Sequence, residues 1–449
     1  MRYRRLLPSL VGVLMMARTG AAWAQASPVP PAPAASVDSL VRAALAASPG
    51  VRAATARVEA ARAALGQAAA LPDPVLMAGV MNAPAAAPAG TDMMTMRTVG
   101  VSQTLPFPGR LALRRRAAEQ ELASAGAGLD AARLEVAREV EDAYYELAYV
   151  DRALEVVRRN ERVLADFARI TTVRYGAGTA AQADVLTARI ETSRLAEEAV
   201  ALAEERRWQL ARLNAALGRP SDTPLAAAAV PERLARAAVA ADPRAIGFTS
   251  AALGARAAGS PLPPLDELRE RAVRQSPALR AEDARIAAQT SRVETARRAH
   301  LPDFDLSLQY GQRPGERDVV SATVSVSLPV HRGSRQDLGV EEAGARLAEL
   351  EAERQGQANE LRARVTRAYA EAERERAQLA FLVGSILPQG RAALESATAG
   401  YQVGKVDFLA LLESRAKLYD YETAYYRALS SFAQRVAELE SLVGEEIIG

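Results

Sequence analysis

The sequence of 449 residues contains no cysteine and only two histidines, His300 and His331. Without cysteine there can be no disulfide, no thiolate zinc site and no thiol nucleophile, and two imidazoles are too few for a histidine-based metal cage. Aromatic residues make up only 5% of the chain. Lysine and arginine (56) nearly balance aspartate and glutamate (54), so a basic surface for nucleic acid is not expected. These absences predict a protein that is not an enzyme and carries no cofactor.

The chain also lacks a long hydrophobic run, and its first residues have the pattern of an export signal. Three arginines precede an apolar stretch over 6–16, and Ala22-Trp23-Ala24 forms a cleavage site. A membrane-spanning helix needs about 20 apolar residues, so an N-terminal anchor is the weaker alternative. We predict a signal peptide over 1–24 and a Pro/Ala-rich leader over 25–36. No later segment reaches that length, so any insertion into a membrane must use strands.

The mature chain is predicted to be a tandem duplication. Val37-Asp38-Ser39-Leu40 recurs as Leu265-Asp266-Glu267-Leu268, Ser48-Pro49 as Ser276-Pro277, and Leu71-Pro72-Asp73 as Leu301-Pro302-Asp303. Such self-similarity in constant order indicates a repeated unit. The predicted repeats are 37–217 and 265–449, joined by an Ala/Pro-rich linker over 218–264.

Each repeat is predicted to contain a helix, two strands, a very long helix and a return helix. The helices are expected over 37–70, 111–174 and 180–217, and over 265–299, 334–399 and 406–443, from Ala- and Leu-rich patterns of helical spacing. At 1.5 Å per residue, the helix over 111–174 would be roughly 95 Å long. Gly384 and Pro388 predict a kink in the second long helix. Antiparallel coiled-coil packing is expected.

Period-two alternation predicts the strands, over about 75–82, 96–105, 303–310 and 319–328. In 303–310 and 319–328, apolar residues alternate strictly with polar residues such as Ser307 and Ser325. This length and alternation suit strands that cross a membrane; a soluble hairpin is the alternative. Four strands cannot close a barrel, whereas three copies would supply twelve. The expected fold is therefore mainly α with a small β part, four transmembrane strands per protomer, and a trimer that closes a 12-stranded barrel.

Two stretches carry a resemblance to a known family. They are Ser102-Gln103-Thr104-Leu105-Pro106-Phe107-Pro108-Gly109-Arg110, and Tyr401-Gln402-Val403-Gly404-Lys405 followed by Asp407-Phe408-Leu409-Ala410-Leu411-Leu412-Glu413. With the duplicated plan, they resemble the TolC family of outer-membrane efflux proteins, and the first stretch is similar to its metal-efflux, CzcC/CusC-like branch.

The resemblance implies a homotrimer in the outer membrane of a Gram-negative bacterium, in contact with its lipid, with a periplasmic helical tunnel. Such a duct is passive and receives cargo from an inner-membrane pump of the RND type through a periplasmic adaptor (membrane fusion) protein. Metal ions or small toxic compounds are the expected cargo. A type I secretion duct and a soluble periplasmic coiled-coil adaptor or scaffold remain alternatives. No nucleic acid is expected as a partner.

The resemblance also assigns the two helix breaks to periplasmic tips. It implies that Tyr175, Gly178, Tyr401, Gly404 and Lys405 dock the adaptor. Asp184 and Tyr401 match positions that hold the gate closed in similar proteins, although Val406 stands where an arginine of that network is expected. Alternatively, the carboxylate of Asp184 simply favours the start of its helix, where the dipole is positive.

The methionines are the last candidates. Apart from those of the first 24 residues, all five lie between 77 and 96: Met77, Met81, Met93, Met94 and Met96. Thioethers favour Cu(I), and the alternation predicts Met77 and Met81 on the inner face and Met93 and Met94 in a loop. The alternative is flexible apolar packing.

Overall fold

A computed structural model describes residues 36–83, 94–239, 262–313 and 315–448. The predicted signal peptide over 1–24 lies outside these residues, as does the leader over 25–36 except for Ser36. None of the helices in the described segments is both long and apolar enough to span a membrane.

The first half runs through two short helices, two strands and two long helices: α1 (Val37–Ala47), α2 (Pro49–Ala68), β1 (Val75–Met81), β2 (Met96–Leu105), α3 (Arg110–Gly176) and α4 (Gln182–Ala216). The second half follows the same order, after α5 (Glu232–Val239): α6 (Leu265–Gln275), α7 (Pro277–Arg297), β3 (Asp303–Gln312), β4 (Val319–Ser327), α8 (Asp337–Phe381), α9 (Leu387–Gln402) and α10 (Phe408–Val443). A 3₁₀ turn (Arg298–His300) precedes β3, and a π-helical turn (Arg332–Gln336) precedes α8.

The opening helix of each half is broken, which corrects the single helices predicted over 37–70 and 265–299. The hydroxyl of Ser48 accepts a hydrogen bond from the amide of Val51 at 3.3 Å, and Ser276 caps the next helix in the same way. A proline then takes the first helical position in both halves. Proline has no amide hydrogen to donate to the preceding turn, so Ser-Pro begins a new helix.

The second long helix is interrupted by a π-helical turn over Leu382–Ile386. The sequence predicted a kink at Gly384 and Pro388, and the turn contains the first of these and ends just before the second. Pro388 cannot donate a backbone hydrogen bond, so the regular ladder is disturbed ahead of it. The helix predicted to end at residue 399 continues, as α9, to Gln402.

The core lies between the long helices. α3 packs against α4, α7 and α10, and α10 also packs against α8. Leu147, Leu213, Leu379 and Phe432, from four different helices, are fully buried in one cluster. A smaller cluster toward the tips contains Val157, Leu195 and Phe408, among other residues. The seams are narrow because alanine is so common in them, which allows helices of this length to pack closely.

The predicted linker is partly structured. It contains α5, whose Leu234 and Ala238 join the main core. Asp151 of α3 holds the segment before α5, since one carboxylate oxygen accepts from the amide of Ala228 at 2.9 Å and the other from Arg206 at 2.6 Å. The segment 240–261 lies outside the described residues.

Candidate functional site

The four strands form one antiparallel sheet in the order β1-β2-β3-β4. β2 pairs with β3, so the sheet joins the two halves of the chain; Val99 faces Tyr310, and Leu308 faces both Val101 and Ala322. β1 and β4 are the outer strands, and in the described part of the chain each pairs with one neighbour only. The sheet therefore presents two open edges.

The sheet has one apolar and one largely polar face. Because partners across strands point the same way, the register assigns to the apolar face Leu76, Ala78, Val80, Val99, Val101, Phe304, Leu306, Leu308, Tyr310, Val320, Ala322, Val324 and Val326. None of the other described residues covers this face: Leu76 is 76% exposed, Val320 68% and Val324 63%. The opposite face carries serine, threonine, glutamine and aspartate on β2, β3 and β4.

Three of the five candidate methionines lie on the polar face. Met77, Met81 and Met96 share it, and Met81 and Met96 are direct partners across β1 and β2. Met94 precedes β2 and is 64% exposed, while Met93 lies outside the described residues. Within the described segments, no group of three or more His, Cys, Asp or Glu side chains is placed to hold a metal ion.

Arg110 fastens the sheet to the helices. Its guanidinium donates to a carboxylate oxygen of Asp303 at 2.5 Å and to the backbone carbonyls of Arg298 and Leu301 at 2.6 and 2.8 Å. The other carboxylate oxygen of Asp303 accepts from the amide of Phe107 at 2.7 Å. The start of α3 in one half is thus tied to the start of β3 in the other.

Gly109 makes this contact possible. It has φ +89°, in the left-handed region that favours glycine. A Cβ at this position would also collide with the guanidinium of Arg298, which itself donates to the carbonyl of Pro108 at 2.9 Å. The Pro-Gly-Arg sequence on which the family resemblance rests therefore forms the strand-to-helix junction.

The two helix tips have the same backbone geometry. Gly178 has φ +72° and Gly404 has φ +74°. After α3, the amide of Thr179 donates to the carbonyl of Arg174 at 2.8 Å; after α9, the amide of Lys405 donates to that of Gly400 at 2.9 Å. This six-residue closure needs a left-handed residue before the donor, which explains why the sequence has glycine at both places. Tyr175 is 47% exposed, and Lys405 is exposed.

Tyr401 connects the two tips. The guanidinium of Arg174, at the end of α3, lies over the Tyr401 ring at 4.8 Å from its centre, and Phe408 packs at 5.9 Å from the same ring. The role of Arg174 could not be predicted from the sequence, because no local pattern marks a contact between residues so far apart in the chain. Asp184, the expected partner of Tyr401, begins α4 in a half-buried position, and its carboxylate has no hydrogen-bond or ion-pair partner among the described residues.

Another group of charged side chains surrounds Glu141 of α3. Asp38, Arg233 and Glu440 line the same cavity, which has a volume of about 570 Å³. Burial, and then the negative charges of Glu440 and Asp38, raise the pKa of Glu141 to about 7, against the opposing effect of Arg233. Burial also raises the pKa of Glu440. The carboxylate of Glu440 accepts from the amide of Ile447 at 2.9 Å, which fixes the turn after α10.

The chain thus combines two repeats of long helices with a small sheet that has one apolar and one polar face, and a family comparison identifies the class of protein that has this fold. The model of the outer membrane efflux protein family matches residues 40–219 and again residues 268–445. The chain belongs to this family, whose members are passive channels and not enzymes. A comparison with curated protein sequences finds no match.

Solved structures share the fold over nearly the whole chain. The outer-membrane channel OprN is 20% identical, with a TM-score of 0.73 over 92% of this chain and 91% of that one. The outer membrane protein VceC from Vibrio cholerae gives the same identity and score, over 92% and 96%. CusC, described as forming a transmembrane channel, is 16% identical with a TM-score of 0.73, over 91% and 92%.

Proposed function

We propose that the protein is the outer-membrane exit duct of a tripartite efflux system and works as a homotrimer. The observation that carries this proposal is the four-stranded sheet, which has one uncovered apolar face and two open edges. In lipid, unpaired edge amides and carbonyls would cost several kcal/mol each. Three copies pair β4 of one with β1 of the next, and twelve strands then close a barrel.

The polar face would line the barrel, and the helices would continue it through the periplasm as a tunnel. Cargo then passes along a water-filled duct without any chemistry in this chain. The energy comes from an inner-membrane pump, for which we propose the RND type, coupled through a periplasmic adaptor. The two tips, at Gly178 and Gly404, are the proposed docking surface for the adaptor. Asp184 stays a proposed gate residue, and Arg174 adds a contact that holds Tyr401.

The sheet orientation can be tested with two adjacent cysteines, since the natural chain has none. Val324 lies on the apolar face and Ser325 on the polar face of β4, and both are exposed. In outer membranes, Val324→Cys should react with a lipid-phase thiol reagent, and Ser325→Cys with a small water-soluble one. A soluble periplasmic scaffold would instead show both cysteines reacting with the water-soluble reagent, and that result would refute the duct.

For the cargo we propose metal ions or small toxic compounds. The three thioethers of Met77, Met81 and Met96 on the polar face support a soft metal such as Cu(I). Replacing all three with leucine should raise the copper sensitivity of cells that depend on this duct. Their resistance to an organic toxic compound should stay unchanged. If the wild type and the triple leucine variant were equally resistant to copper, the three methionines would contribute apolar packing and no metal binding.

A further inference from the structure

The outer face of α4 carries large apolar side chains that no described residue covers. One side of α4, which includes Ala188 and Leu195, is buried in the core cluster toward the tips. On the opposite side, exposed residues recur at alternating steps of four and three, which is the spacing of a coiled-coil contact. These residues form the outer face of α4: Leu186, Ile190, Ser193, Glu197 and Val200. Leu186 is 51% exposed and Ile190 is 66% exposed, so this face is available to pack against another helix.

α4 lies at one edge of a layer of long helices. α3 packs between α4 and α10, and α10 packs in turn against α9. α9 is therefore at the other edge of the layer, and with about 8–10 Å between packed helices its axis is roughly 25 Å from that of α4. The two helices lie too far apart to cover each other within one copy. Rotation about a threefold axis would instead bring α4 of one copy beside α9 of the next.

The outer face of α9 is complementary in shape. α9 turns Gly390 and Leu394 toward α10. By helical spacing, Ala392, Glu395 and Ala399 lie on the opposite side, and all three are exposed. They form the outer face of α9. Its alanines leave room for the large side chains of a facing helix, and large residues opposite small ones let two helices interdigitate.

Heights above the tips decide which residues of the two outer faces would meet. Within one copy, the contact between Arg174 and Tyr401 keeps the ends of α3 and α9 level, and α4 starts just after α3 ends. A threefold axis along the helices keeps the same level in every copy. Because α4 runs away from the tips and α9 runs toward them, heights can be counted at 1.5 Å per residue from the first residue of α4 and from the last residue of α9.

This count places residues of the two outer faces at matching heights. Leu186 lies about 6 Å above the start of α4, and Ala399 about 5 Å above the end of α9. One heptad further up, Ser193 lies at about 17 Å and Ala392 at about 15 Å. The two faces therefore match over at least two turns of helix, in antiparallel orientation.

Opposite charges also lie at matching heights. Arg189, beside the outer face of α4, and Glu395 of α9 are both at about 11 Å. Glu197 of α4 is at about 23 Å and Arg391 of α9 at about 17 Å, a difference that an arginine side chain can span. All four are exposed and have no hydrogen-bond or ion-pair partner among the described residues. Complementary charges of this kind fix the partner and the register of a contact.

We infer that the outer face of α4 packs in antiparallel orientation against the outer face of α9 of a second copy of this chain, with Leu186 beside Ala399 and Ser193 beside Ala392. This contact closes the helical tunnel between neighbouring copies. It is continuous with the proposed pairing of β1 and β4, since in both contacts the first half of one copy meets the second half of the next. The inference rests on the proposed function, because it takes the homotrimer as its starting point.

Disulfide cross-linking of the full chain in outer membranes tests this register, because the natural chain has no cysteine. Leu186→Cys combined with Ala399→Cys should link each copy to the next under oxidising conditions. Ser193→Cys combined with Ala392→Cys should do the same. A denaturing gel without reductant should then show a covalent trimer in place of the monomer, and reductant should restore the monomer.

The matched controls exchange the partners of the same four substitutions. Leu186→Cys with Ala392→Cys, and Ser193→Cys with Ala399→Cys, place the two cysteines about 9 and about 12 Å apart along the helices. A disulfide needs Cβ atoms within about 4.5 Å of each other. The exchanged pairs should therefore remain monomeric on the same gel, and helical circular dichroism would check that all variants are folded.

Cross-linking of all four pairs, or of none, would overturn the inference. So would labelling of Ser193→Cys by a bulky water-soluble maleimide as fast in the purified trimer as in the urea-unfolded chain, because the outer face of α4 would then be uncovered. Native mass spectrometry of the detergent-purified protein separates this failure from that of the proposed function. Trimers that do not cross-link would leave the duct intact and reject only the helix contact, whereas monomers would reject the homotrimer as well.

Discussion

Replacing Glu141 with glutamine should stabilise the protein at alkaline pH but not at acidic pH. Glu141 lies among the helices of the main core, beside Glu440 and Asp38, and its pKa is raised to about 7 chiefly by burial. Ionising it in the folded protein is therefore unfavourable. Arg233 compensates for part of this cost, since it is the one positive group that lowers the pKa.

The sign follows from comparing the folded and unfolded chains. Below about pH 4.5 the carboxyl group is protonated in both, and it has no differential effect. As the pH rises toward 7, the unfolded chain loses this proton first, so the free energy of unfolding falls. The interval between 4.5 and about 7 corresponds to a full loss of about 3 kcal/mol above pH 7. Glutamine cannot ionise, so the variant avoids this loss.

The assay is thermal unfolding of the detergent-solubilised protein, followed by helical circular dichroism at about pH 4 and about pH 8.5. Glu141→Gln should unfold several degrees above the wild type at the higher pH and within error of it at the lower one. Glu139→Gln, two residues away on the exposed side of the same helix, should change neither midpoint. An equal shift at both pH values, or a lower midpoint at alkaline pH, would refute the reasoning.

Two further predictions concern glycines. Gly109→Ala should lower the unfolding midpoint and the trimer yield, because alanine would strain a φ of +89° and displace Arg298. The control, Gly126→Ala, lies in open space within α3 and should be neutral or stabilising. Equal effects of the two substitutions would show that alanine causes no strain at the junction. Gly404→Val forces a β-branched residue into φ +74°, at a cost of about 1–2 kcal/mol, and should reduce export in a cargo-resistance assay more than it reduces trimer yield. A proportional loss of both would argue against a role of the tip in docking or gating.

The parts of this fold that are periodic could be predicted from the sequence. Alternation over 303–310 and 319–328 predicted not only strands but also which side chains share a face, because the register preserves the period of two. The long helices could be predicted because their alanine- and leucine-rich pattern runs for many turns without proline. The fold class followed from these two signals together, and the family from the duplicated plan and the motifs at 102–110 and 401–413. The divided opening helices could also have been found, since Ser-Pro was visible in both repeats.

The contacts that build the candidate sites could not be predicted in this way. Arg110 meets Asp303 across 193 positions of sequence, and Arg174 reaches Tyr401 from the other hairpin. Such pairs depend on how the two halves lie side by side, and no local pattern encodes that arrangement. The pKa of Glu141 has the same origin, since its neighbours Asp38 and Glu440 come from near the two ends of the described chain.

The junctions show why a duplicated sequence need not have two equivalent sites. Both halves have Leu-Pro at the end of their second strand, but the first then reads Phe107-Pro108-Gly109-Arg110 where the second reads Val330-His331-Arg332-Gly333. A left-handed glycine lets Arg110 turn inward and neutralise Asp303. The second half has Arg332 in place of that glycine, and it reaches α8 through a π-helical turn in which Arg332 and Arg335 are exposed. One junction therefore holds the sheet to the helices, and the other keeps its basic side chains at the surface.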